Sequence, residues 1–150
     1  MKRYDRIIFV GRSGTCREPM AAGILRDFIL KREIEVLARG LVVSFPEPMN
    51  RKAEAVLISN GITLPEFSSV ELSEKDITET TLILTMEAGQ RDKVLTRFPR
   101  VTDVYVLTDF VGDELEILDP YGGALPAYGL CYETLRKSIK KLVKFLNEGE

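Results

Sequence analysis

The chain has 150 residues, 45% of them hydrophobic and 29% charged, with a formal net charge of -2. That balance predicts one globular domain over residues 1–150 and excludes both a disordered acidic chain and a basic nucleic-acid binder. The absence of histidine removes imidazole-built metal sites and triads, and two cysteines, Cys16 and Cys131, are too few for a disulfide scaffold or a four-thiolate zinc site.

The first apolar run, Ile7 to Val10, is short, β-branched or aromatic, and reads as a buried strand ending at Gly11. A loop follows, Gly11-Arg12-Ser13-Gly14-Thr15-Cys16-Arg17, with two glycines that open backbone torsions closed to other residues. Pro19 suits the first turn of a helix. Met20, Ile24, Leu25, Phe28 and Ile29 then recur on one helical face. Residues 34–38 predict a second strand. Beyond a loop holding Pro46 and Pro48, a helix is expected from about Asn50 to the Asn60-Gly61 stop. Thr81 to Met86 is nearly all apolar, as a central parallel strand covered on both faces would be. A helix over 87–97, a strand over 104–107 and a loop over 109–125 come next. A long amphipathic helix closes the chain, with Leu135, Ile139, Leu142, Val143 and Leu146 inward. Alternating strands and helices imply an α/β fold with a parallel sheet and helices on both faces. Ligands of such folds gather at the carboxyl ends of the strands, where strand order reverses.

A Gly-, Ser- and Thr-containing loop that passes from a strand into a helix turns several N–H groups toward one point. The helix end adds about half a positive charge, and the two together make an anion nest. Arg17 adds a guanidinium fork suited to phosphate oxygens. A plain βα turn with no ligand is the bland alternative. The loop is not a Walker loop, because no Lys-Ser or Lys-Thr pair follows the glycines, and it lacks the G-x-G-x-x-G spacing of a dinucleotide site.

The segment FVGRSGTCREPMAAGIL resembles the phosphate-binding loop of the low-molecular-weight protein tyrosine phosphatases, a family that also includes arsenate reductases. Asp119-Pro120-Tyr121-Gly122 looks like that family's general-acid loop. Asn60-Gly61-Ile62 and Leu82 to Met86 fit its middle, so the resemblance covers nearly the whole chain. It implies a four-stranded parallel sheet in a three-layer phosphatase sandwich. It further implies that Arg12, Ser13, Gly14, Thr15, Cys16, Arg17 and Glu18 form a phosphate-binding loop, with Arg17 and Asp119 in catalytic positions. Tyr121 and Phe45 are the implied pocket walls. The family's nucleophilic cysteine falls on Gly11, which has no side chain.

This departure governs the expected chemistry. Loss of a hydrolase nucleophile slows the chemical step by something on the order of 10⁶-fold. Neither cysteine repairs it, since Ala22 and Lys137 stand where a Cys-x5-Arg loop would need arginine. Ser13 and Gly14 replace the usual Gly-Asn or Asp-Asn pair, and Glu18 replaces a serine that would hydrogen-bond the thiolate. A carboxylate there is poised to occupy the nest as an internal anion. The expected function is therefore an inactive phosphatase-like binding or regulatory protein, with Gly11→Cys restoring a measurable rate. Two alternatives stand beside it: an active phosphomonoester hydrolase built on the Arg17–Asp119 frame, and a small flavin-phosphate module. Expected partners are phosphate or another oxyanion, including one carried on a phosphotyrosine-bearing protein, with no nucleic acid, membrane, metal or cofactor. The lack of a signal peptide or of a roughly 20-residue apolar span predicts a cytoplasmic location.

Overall fold

The computed structural model describes residues 2–148; Met1, Gly149 and Glu150, the outermost residues of the expected 1–150 domain, lie outside it. Four parallel strands, β1 (Arg6–Gly11), β2 (Glu35–Gly40), β3 (Thr81–Thr85) and β4 (Val104–Val106), lie in the order β2-β1-β3-β4. β1 pairs with β2 from Arg6↔Glu35 to Gly11↔Gly40 and with β3 from Arg6↔Thr81 to Val10↔Thr85. The chain runs outward from β1 to β2 and then returns to the other side of β1. The strand order therefore reverses between β1 and β3, and their carboxyl ends open the crevice at which such folds take ligands.

Alternation along the central strands builds two cores. Ile7 and Phe9 of β1 join Leu82 and Leu84 of β3 in the larger cluster, whereas Ile8, Val10 and Ile83 enter the smaller one. Helices α1 (Arg17–Asp27), α2 (Arg51–Ser59) and α5 (Leu125–Glu148) cover the first face. They bury Met20, Ile24, Leu57, Leu135, Ile139 and Leu142 there. Val94 of α3 (Ala88–Arg97) covers the second face. Burial of apolar side chains on both faces of a parallel sheet supplies the main drive to fold, about 1.5–3 kcal/mol for each large side chain.

Helix starts follow local chemistry. The Asn50 side chain accepts N–H bonds from Lys52 and Ala53 at 2.9 and 3.1 Å and so caps α2, which is followed by left-handed Gly61. Gln90 Oε1 accepts the N–H of Met86 and of Glu87 at 3.0 and 3.1 Å, fixing the turn from β3 into α3.

Several boundaries differ from the sequence reading. α1 begins at Arg17 rather than Pro19 and stops at Asp27, so Ile29, expected on its inner face, is exposed. Leu107 opens a short helix, α4 (Leu107–Val111), instead of ending β4 and leading into a loop. Its five residues are too few to show a helical period. The outer edge of β2 is bordered by segment 69–72 through Gly40 N–H to Val70 O and Leu72 N–H to Gly40 O, at 3.0 and 2.9 Å.

Candidate functional site at the end of the first strand

The loop between β1 and α1 is held by its neighbours. Leu41 N–H donates to the carbonyls of Gly11 and Arg12, and Val42 N–H to Arg12, each at 2.9 Å. Asn50 N–H donates to Thr15 O at 2.8 Å, and the hydroxyls of Ser13 and Thr15 pair at 2.8 Å. Gly14 takes a left-handed φ of 74°. Beneath it Gly40 leaves no room for a side chain, since a Cβ there would stand 2.5 Å from Ser13 C. The loop thus curls tightly over the end of β2.

Arg17 opens α1 and is 3% exposed. Its Nη1 donates to Ile117 O at 2.7 Å and its Nη2 to Glu87 Oε2 at 2.6 Å, with Asp119 Oδ2 at 3.8 Å. Asp119 is half-exposed, and its Oδ1 accepts Tyr121 N–H at 3.0 Å in the turn that Gly122 completes at positive φ. Its side chain therefore both shapes the turn and faces Arg17.

Glu18 occupies the first turn of α1 and is 3% exposed. A Cβ built on Gly11 would stand 2.0 Å from Glu18 Oε1, 2.4 Å from Cδ and 2.8 Å from Cγ. The carboxyl group thus fills the volume that a side chain at position 11 would take. Backbone N–H groups of Cys16 and Glu18 lie near enough to favour its charged form, while its Oε2 is buried with no hydrogen-bond partner. Burial pushes the Glu18 carboxyl up to about 7, against the pull of those N–H groups and of Arg17. Cys16 lies at the loop's end and Cys131 in α5. Burial pushes both thiols up to about 12, so neither supplies a thiolate near neutral pH.

A cleft of about 480 Å³ opens over this loop. Arg12, Ser13, Thr15, Cys16, Arg17, Glu18, Phe45, Asp119 and Tyr121 all line it, so nearly every residue singled out from the sequence meets at one place. Gly11 and Gly14 shape the loop behind the lining. Phe45 and Tyr121 stand at the rim, 64% and 80% exposed. Two roomier clefts, about 640 and 1050 Å³, lie beside α1 and near Lys2. Neither combines a curled loop with a helix start, so the smaller cleft is the candidate site.

Sequence reasoning missed Glu87 and the Ile117 carbonyl, which hold Arg17. Glu87 directly follows the apolar run 81–86, at the strand end where ligands gather; that position was its one available signal.

A doubly wound α/β domain with a glycine-containing strand–loop–helix turn at its switch point is the class that fold and site define. The profile of the low molecular weight phosphotyrosine protein phosphatases matches residues 6–150, and the chain belongs to that family. It is similar to a protein-arginine-phosphatase of Geobacillus stearothermophilus, 34% identical over 143 residues, or 94% of this chain and 95% of that one. The low molecular weight protein-tyrosine-phosphatase PtpB of Staphylococcus epidermidis is 30% identical over 95% of this chain and 99% of its own. Among solved structures, the YwlE arginine phosphatase of Geobacillus stearothermophilus superposes with a TM-score of 0.89 at 32% identity, over 96% of this chain and 94% of that one. Among the described residues no helix is long and apolar enough to cross a membrane.

Proposed function

We propose that this chain is a phosphatase-family protein without phosphatase turnover, a cytoplasmic binding or regulatory module for an oxyanion. One observation carries the reading. The volume beside Gly11, where the resemblance puts the attacking sulfur, is taken by the Glu18 carboxyl, and a Cβ at position 11 would lie 2.0 Å from its Oε1. No other thiol substitutes, because Cys16 and Cys131 are both held neutral by burial. Ser13 and Thr15 have no histidine to activate them in this chain.

In this reading residues 12–18 offer the loop N–H groups, Arg17 the guanidinium, and Phe45 and Tyr121 the walls that receive whatever carries the oxyanion. The relatives named above point to phosphotyrosine or phosphoarginine on a protein as the ancestral group. Family membership favours that class over a flavin phosphate. In this reading Asp119, 3.8 Å from Arg17, would stand as a general acid with no nucleophile to serve.

The test is direct. Purified protein incubated with p-nitrophenyl phosphate, a phosphotyrosine peptide and a phosphoarginine peptide releases phosphate at the buffer rate. Sustained release, abolished by Asp119→Asn or Arg17→Met, overturns the proposal and supports a hydrolase using the Arg17–Asp119 frame.

A further inference from the structure

The site contains an anion of its own. Glu18 lies in the first turn of α1, its carboxyl filling the space beside the bare Cα of Gly11, where the nearby N–H groups of Cys16 and Glu18 favour a negative charge and are donors an entering oxyanion would need. Its second oxygen, Oε2, is buried and has no hydrogen-bond partner. Around it stand the Arg17 guanidinium on its own helix, tied to Glu87 and to Ile117 O, and Asp119 from the segment before α5. Cys16 approaches from the loop and Cys131 from α5, both uncharged thiols near neutral pH. Arg12 and Glu47 line the cleft above. Two anions sharing one nest repel, so an external oxyanion and an ionised Glu18 exclude each other. A protonated carboxyl changes sides: its O–H donates, and the unpartnered oxygen gains an acceptor in the ligand.

We propose that Glu18 is a tethered stand-in for the ligand, and that an external oxyanion binds only with uptake of a proton by Glu18, so that affinity falls as pH rises. This rests on the oxyanion-binding reading above and adds its regulation. The buried carboxyl, pushed up to about 7, places the change near neutral pH. Apparent affinity scales with the protonated fraction, which makes the expected loss about 30-fold between about pH 6 and about pH 8.5.

Inorganic sulfate is the probe, because its charge does not change over this range. Titration followed by backbone amide shifts of residues 12–18 measures affinity at both pH values. Calorimetry in two buffers of different ionisation heat counts protons taken up, with about one per sulfate expected near pH 8. Glu18→Gln is expected to bind sulfate equally at both pH values, as tightly as the unaltered protein at the lower one. The proton count needs no variant and stands even if Glu18→Gln fails to fold. Sulfate binding at residues 12–18 with flat affinity and no proton uptake overturns the gate and leaves the cradle reading intact. No sulfate response at these residues, in the native chain near pH 6 or in folded Glu18→Gln, overturns the cradle reading itself.

Discussion

Gly11 and Glu18 make sense only together. The carboxyl of one rests on the bare Cα of the other, and a Cβ on Gly11 would collide with it at 2.0 Å. The sequence alone suggests that Gly11→Cys by itself would restore turnover. The structure revises this, because the new side chain must first evict a buried carboxyl. Gly11→Cys alone should stay near the buffer rate with p-nitrophenyl phosphate. Gly11→Cys with Glu18→Ser should exceed it by at least about 10²-fold, a small part of the roughly 10⁶ that a hydrolase nucleophile is worth. Equal rates for the single and double variants would show that Glu18 does not obstruct position 11. That Glu18 places a carboxyl beside Arg17 at a helix start was legible in the sequence. Its contact with Gly11, seven positions earlier, was not, because the curl between them is set by other parts of the chain.

One such part is the end of β2. Gly40 sits under the loop with Ser13 C at 2.5 Å and Ser13 O at 2.7 Å from where a Cβ would be. Backbone cannot swing aside as a flexible side chain can. Gly40→Ala should therefore destabilise the fold by about 1–3 kcal/mol, read as a lowered urea midpoint with an unchanged slope. An unchanged midpoint would mean the loop has slack. In the sequence Gly40 is only a residue at the exit of a short strand. The elements themselves were more readable: 7–10 and 81–86 are continuous apolar runs, and Asn50 and Gly61 punctuate α2. The misplacements fall where local signals are brief. Leu107 looks like the end of an apolar strand, and Ile29 continues a helical spacing after the helix has stopped.

Across the whole molecule, the site is an assembly of loops at the carboxyl ends of the strands. Arg17 from α1 reaches Glu87 after β3 and the Ile117 carbonyl before α5, joining segments 70 and 100 residues away. Arg17→Met keeps an unbranched apolar stem but leaves that carbonyl and carboxylate without their donor. A stability loss of about 1–3 kcal/mol is expected, read by urea unfolding, with faster amide exchange over residues 116–121. Full protection of that segment in the variant would show that Arg17 is not the tie. Local patterning alone determined the strands, the main helices, the parallel α/β architecture and the glycine-containing loop after the first strand. Each follows from apolar periodicity, capping residues and glycines, which act over a few neighbouring positions. Packing decided the rest: that Glu18 folds back onto Gly11, that Glu87 claims Arg17, and that Gly40 shapes the loop. Those contacts join residues distant in the chain, and no short-range pattern encodes which of them will meet.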